Sequence, residues 1–233
     1  MQDFSSPRLN LWSYQMLLFS TVMIVLAIAR EEGLSAGWTL YPPLSDVRFS
    51  SSAAMNVAIL AMHVMGASSE GGAATFLVTA LAARLGGLHS VLFCLLTWAI
   101  LTASVLLILT LPILGAGITV LLLDRTSNTS FVAATDGGDP LVYQHLFWYF
   151  GHPEVYVIIL PAFGIVSWTF ARLTSVGASG HVGMVLSIIA IGVVGFYVWA
   201  HHMFVAGIAD DTRLYFSSAT MVIAVPTAVK LFA

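Results

Sequence analysis

Apolar runs of membrane-crossing length are the feature that most constrains the fold of this chain. Residues 88–123 contain no Asp, Glu, Lys or Arg, and residues 11–29 form a second uncharged run. About 20 consecutive apolar residues suffice for a helix to cross a bilayer. Only 8% of the 233 residues are charged, whereas soluble domains carry about 25%. Because a water-soluble fold could not cover so much apolar surface, the chain is predicted to be an integral membrane protein.

Six apolar segments are predicted to be transmembrane helices of a single all-α membrane domain, residues 1–233. Their approximate limits are 11–29, 53–83, 88–123, 142–171, 182–208 and 215–233. Charged or turn-forming residues separate most of them, and the sixth is still apolar where the sequence stops. The Lys and Arg residues lie on both predicted sides of the membrane, so they do not choose an orientation.

Charge and cysteine content exclude other classes of protein. The net charge of −3 gives no basic surface that would bind nucleic acid. The single cysteine, Cys94, cannot form an internal disulfide and is interpreted as a small buried apolar side chain.

Ionisable residues inside apolar segments are costly, so each is a candidate functional residue. His152 and Tyr156 are four residues apart and share one face of the predicted fourth helix. Glu154 lies about 200° around that helix from His152, and Pro153 removes a backbone donor. This stretch therefore offers an imidazole and a phenol together, with a carboxyl group on another face.

His201 and His202 are adjacent in the fifth segment. Together with His152 they make a set of three imidazoles, which suits copper, zinc or iron and leaves an open coordination position. The residues alone also allow an interhelical polar network or the lining of a transport path.

Two further ionisable groups have ordinary interpretations as well. Lys230 could extend to the membrane interface or carry protons. Glu70 is interpreted as a salt partner of a neighbouring loop or subunit in preference to a proton carrier.

Several long motifs resemble subunit I of the heme-copper oxidases. The segment 144–156 reads QHLFWYFGHPEVY, 199–204 reads WAHHMF and 224–230 reads AVPTAVK. Shorter matching stretches are 38–44, 116–119 and 137–140, and 210–216 resembles the cytochrome c oxidase branch more than the quinol oxidases. The resemblance implies that the six segments are the third to eighth helices of a twelve-helix core, with the eighth cut short.

This resemblance implies roles for the residues singled out above. His152, His201 and His202 would bind one copper ion that faces a heme iron, with O2 reduced between the metals. Tyr156 would be covalently linked to His152 and would supply an electron and a proton, while Glu154 would relay protons.

The resemblance also implies two proton paths. The first would start at Asp3 and lead to Glu154, lined by Asn10, Ser68 and Ser69. The second would end at Tyr156 and contain Ser167, Thr227 and Lys230. Thr75 stands where the family usually has an asparagine of the first path, and this departure leaves the details of pumping open.

The family's axial heme ligands lie on helices that this sequence does not contain. An a-type heme at the interface would therefore be ligated by another chain, and this chain would not be active alone. The implied partners are the remaining piece or pieces of subunit I, subunits II and III, cytochrome c as electron donor and the lipid bilayer. The implied location is the mitochondrial inner membrane, with the N-terminus on the matrix side.

The resemblance thus implies the copper-site half of the catalytic subunit of a mitochondrial-type, proton-pumping cytochrome c oxidase that reduces O2 to water. A noncatalytic structural or assembly subunit, a quinol-type oxidase fragment and a transporter or channel are the alternatives. The complete set of ionisable site residues argues against a noncatalytic subunit.

Overall fold

The computed structural model describes residues 3–29, 34–82, 93–174 and 180–232. Within these ranges the chain is helical and contains no β-strand. The all-α prediction is therefore confirmed for the described part of the chain.

Seven α-helices follow one another in the described residues: α1 (Pro7–Ala29), α2 (Ala53–Ala82), α3 (Leu95–Thr126), α4 (Pro140–Thr174), α5 (His181–Gly195), α6 (Asp210–Val222) and α7 (Ala224–Phe232). Short 3₁₀ helices cover Ala134–Asp136 and Trp199–Met203. Four helical stretches there are long and apolar enough to cross a membrane: α1, α3, α4 and the consecutive pair α6–α7. A count of six spans stays a prediction.

The first, second and fourth predicted segments agree with α1, α2 and α4 to within a few residues, apart from an earlier start of α1. Part of the predicted third segment, and the last residue of the second, lie in 83–92, outside the described residues. α3 begins at Leu95.

The fifth predicted segment, 182–208, is not one continuous helix. α5 ends at Gly195, where the N–H of Phe196 donates to the carbonyl of Val193 at 3.3 Å. Such i to i−3 bonds tighten the last turn of a helix. The chain then forms the separate 3₁₀ helix Trp199–Met203. This short helix, rather than a long membrane span, carries the adjacent histidines.

The sixth predicted segment, 215–233, begins earlier than expected and is interrupted. α6 starts at Asp210, and Asp210 and Asp211 lie in its first turn, where carboxylates interact favourably with the helix dipole. α6 gives way to α7 at Ile223. Pro226 has no N–H to donate to the carbonyl of Val222, which accounts for the interruption.

The chain forms two compact units: residues 1–7, 73–110 and 151–233 in the first, and 8–72 and 111–150 in the second. The first unit has a buried apolar core drawn from α3, α4 and α5: Leu95, Ala99, Leu106, Leu160, Met184, Ile188 and Ile191. A Cβ added at Gly164 would lie 2.7 Å from the Cα of Leu96. A small residue therefore lets α4 approach α3 closely, as is common in membrane helix packing.

The second unit is held by a buried arginine. Arg125 is 8% exposed and its guanidinium donates to Asn56 Oδ1 at 2.6 Å, to the Ser52 carbonyl at 3.2 Å and to the Ser45 carbonyl. These bonds join the end of α3 to α2 and to the segment that precedes α2. Arg125 therefore satisfies three acceptors that lie on separate parts of the chain.

Candidate metal centre

Three histidines meet in the first unit. His152 belongs to α4 and is 5% exposed, His201 is half-buried and His202 is exposed. One ring nitrogen from each lies within 4.8 Å of the others, and His152 Nδ1 is 3.3 Å from His202 Nε2. The structure thus brings together the three residues that the sequence predicts as metal ligands.

A threonine orients one of these rings. His201 Nδ1 lies 3.0 Å from Thr220 Oγ1 on α6, and the Thr220 hydroxyl itself donates to the Phe216 carbonyl at 2.6 Å. Because the hydroxyl proton is engaged there, Thr220 Oγ1 accepts the Nδ1 proton of His201. His201 is then in the Nδ1–H tautomer, in which the unprotonated Nε2 has a lone pair that can bind a metal.

The donor set fits a resident metal ion. His152 Nε2 is buried and has no hydrogen-bond partner among the described residues, although buried polar atoms are normally satisfied. Three imidazoles, with no thiolate or carboxylate beside them among the described residues, suit copper, zinc or iron. The geometry therefore fits the three-histidine site expected from the sequence, without selecting the element.

Tyr156 lies beside this cluster. Its ring centroid is 4.6 Å from that of His152, with an interplanar angle of 67°. One helical turn of α4 thus brings the phenol against the imidazole, as the four-residue spacing predicts.

Glu154 points elsewhere on α4 and is half-buried. Its Oε2 atom is buried and has no hydrogen-bond partner in the described part of the chain. A carboxylate without a donor is costly in such a place, whereas a protonated carboxyl group costs less.

Lys230 and Ser167 are in direct contact. Lys230 is 5% exposed and its Nζ donates to Ser167 Oγ at 2.7 Å. The Thr227 hydroxyl, one turn earlier on α7, donates to the Ile223 carbonyl at 2.9 Å. Lys230 is therefore a buried residue with a side-chain partner on α4, and the interpretation that it extends to an interface does not describe its position here.

The four residues expected at the start of the other path belong to different units. Asp3, in the first unit, is exposed, and its Oδ1 accepts from the N–H of Phe4 at 2.8 Å. Asn10, Ser68 and Ser69 belong to the second unit. The Ser68 hydroxyl donates to the Ser13 carbonyl at 2.5 Å, and the Ser13 hydroxyl donates to the Ser68 carbonyl at 2.7 Å. These two hydrogen bonds join α1 to α2.

Sequence reasoning missed Thr220. Its only signal is that a threonine lies ten residues before Lys230 on the same helical segment. Nothing in that spacing shows that the side chain reaches a histidine 19 positions earlier.

Comparison with known proteins identifies the family of the chain. The model of the family described as "Cytochrome C and Quinol oxidase polypeptide I" matches residues 1–233. The chain is 46% identical over 230 residues to cytochrome c oxidase subunit 1 of Candida albicans, 44% to that of Eremothecium gossypii and 45% to that of Debaryomyces hansenii.

These alignments cover 99% of this chain but 43% of each of the three relatives. The chain is also 45% identical to a probable intron-encoded endonuclease aI3 of Debaryomyces hansenii, over 34% of that protein. The chain therefore spans less than half the length of the curated relatives that it matches.

Proposed function

Because the chain belongs to the family of cytochrome c and quinol oxidase polypeptide I, we propose that it forms the copper-binding part of a terminal oxidase that reduces O2 to water and pumps protons. The observation that carries the proposal is the cluster of His152, His201 and His202, whose ring nitrogens lie within 4.8 Å of one another. The heme would be a-type, held by ligands that lie outside residues 1–233.

The proposed ligands are His152, His201 and His202, holding one copper ion. When bound, copper and heme together would supply the redox chemistry of O2 reduction. In this role the three histidines would be neutral. Thr220 would orient His201 by accepting a hydrogen bond from its Nδ1–H, which leaves Nε2 for the metal.

Tyr156 would act as a donor of a proton and an electron next to His152. The 4.6 Å separation of the two ring centroids supports this role and the proposed covalent link between them. The Tyr156 hydroxyl would carry the proton, and the contact with the His152 ring would keep the phenol beside the proposed copper site.

Glu154 and Lys230 would hold protons for uptake. The Glu154 Oε2 atom is buried and has no partner among the described residues, which supports a carboxyl group that keeps its proton until an acceptor comes within reach. The hydrogen bond from Lys230 to Ser167 supports a path that includes Thr227 and ends at Tyr156. Asp3, Asn10, Ser68 and Ser69 would serve the path to Glu154.

Cytochrome c is the proposed electron donor. The family's description includes quinol oxidases as well, but the three relatives above are all cytochrome c oxidase subunits. The proposed partners are the rest of subunit I and subunits II and III. The proposed location is the mitochondrial inner membrane, with the N-terminus on the matrix side and the helices in the lipid bilayer.

The test is purification of the intact membrane complex through a tag on this chain, followed by metal analysis and O2 uptake with cytochrome c or a quinol as donor. We expect copper at this site, heme in the complex and cytochrome c-dependent O2 uptake. Copper that is lost in a His201→Ala variant would assign the ion to this site. A complex that reduces O2 fully without copper here would instead support a noncatalytic subunit.

A further inference from the structure

The last residue of α5 is a buried glycine that faces Tyr156. A Cβ added at Gly195 would lie 2.9 Å from Cδ2 and 3.2 Å from Cε2 of Tyr156. Carbon atoms in ordinary van der Waals contact are about 3.5–4.0 Å apart. The Tyr156 ring can therefore occupy its observed place only because residue 195 has no side chain.

The same ring contacts the histidine cluster. Its centroid is 4.6 Å from that of His152, and its apolar part packs against the buried core of the first unit. A displacement of the ring away from Gly195 would therefore change its distance and angle to His152. Protein interiors are close-packed, so such a strain is not absorbed by empty space.

We propose that Gly195 is a positioning residue, which sets the separation of Tyr156 and His152 by leaving room for the phenol ring. This inference rests on the proposed function, in which these two residues act as a pair at the copper site. Gly195 itself touches neither metal nor substrate and acts through Tyr156.

Other glycines of α5 separate this role from ordinary helix packing. A Cβ at Gly192 would lie 2.5 Å from Cγ2 of Thr102 on α3, so Gly192 serves the contact between two helices. A Cβ at Gly183 would meet no atom of the described residues within 4 Å. Gly183→Ala therefore controls for the substitution itself, and Gly192→Ala controls for lost close packing in α5.

The experiment compares Gly195→Ala, Gly192→Ala and Gly183→Ala in the intact complex. The readouts are copper content, the fraction of peptides with His152 linked to Tyr156 by mass spectrometry, and the turnover number. We expect Gly195→Ala to retain copper, to lose most of the linked peptide and to lose about 10-fold or more in turnover, since a misplacement near 1 Å can cost about 100-fold. Gly183→Ala should match the wild type, and Gly192→Ala should keep the linked peptide in whatever complex assembles.

Normal linkage and turnover in Gly195→Ala would overturn the role of Gly195. A wild-type complex with neither copper nor linked peptide would instead overturn the proposed function, so the two failures are distinguishable.

A second comparison covers the case in which Gly195→Ala fails to assemble. In a Tyr156→Ala background the ring that the new methyl group would strike is gone, so Gly195→Ala should have no further effect on assembly. If assembly still fails in the double variant while Tyr156→Ala alone assembles, the obstruction does not involve Tyr156 and the proposal is wrong.

Discussion

Lys230 on α7 donates a hydrogen bond of 2.7 Å to Ser167 on α4. The lysine is 5% exposed, and these two residues are 63 positions apart in the sequence. A buried ammonium group without a partner would be expensive. The serine oxygen therefore stabilises the lysine and fixes the position of its side chain.

Replacement of Ser167 should test this contact. We expect Ser167→Ala to lower the thermal stability of the complex, because a hydrogen bond to a charged group contributes about 1.5–3 kcal/mol, and to slow proton uptake during turnover. Ser167→Thr keeps the hydroxyl and is the matched control. Stopped-flow proton-uptake traces that are the same for the alanine variant and wild type would contradict a role in the path.

Loss of one histidine should empty the metal site. We expect His202→Ala to weaken copper binding by more than about 100-fold, because even changes outside the ligand set cost about 10–100-fold. Elemental analysis, as copper per heme, measures this. His63→Gln is the control, since His63 bonds to Thr119 and to the Ile59 carbonyl in the second unit; a similar copper loss there would refute the assignment.

Thr220 should matter through His201 alone. Thr220→Val removes the acceptor of the Nδ1 proton, so we expect copper affinity to fall by about 10–100-fold, as for other groups that orient metal ligands. Thr220→Ser keeps the acceptor and should restore binding. Competition titration with a copper chelator gives the affinities, and equal values for the valine and serine variants would exclude this role.

Arg125 should be a determinant of stability and not of chemistry. Arg125→Met leaves buried carbonyl and amide acceptors without a donor, each at a cost of about 1–3 kcal/mol. Arg125→Lys should recover part of the loss, because one ammonium group cannot reproduce the planar fork of donors. In thermal denaturation of the complex, the midpoint temperature should be highest for the wild type, lower for Arg125→Lys and lowest for Arg125→Met. Copper per assembled complex should be unchanged.

Much of the fold and the candidate site could be predicted from sequence, because both depend on local patterns. Apolar length alone predicts a membrane protein, and α1, α2 and α4 end close to the predicted limits. The spacing of His152 and Tyr156 predicts their contact, since residues four apart share one helix face. The resemblance added the family, which the match over residues 1–233 confirms.

The predicted helix limits failed where local hydrogen bonding competes with hydrophobicity. The apolar stretch 182–208 predicts one long helix, yet α5 stops at Gly195 and the histidines occupy a 3₁₀ turn. Hydropathy does not distinguish an α-helix from a 3₁₀ helix, because that difference depends on which carbonyl each N–H reaches.

The sequence by itself determined the membrane class, the family and the candidate metal ligands, because apolar length, helical spacing and long motifs are properties of the chain order. Only the tertiary structure decided that Thr220 orients His201, that Ser167 accepts from Lys230 and that Gly195 leaves room for Tyr156. Each of these is a contact between different elements of the chain. Such contacts depend on how helices pack, to within about an ångström, and no local pattern specifies that distance.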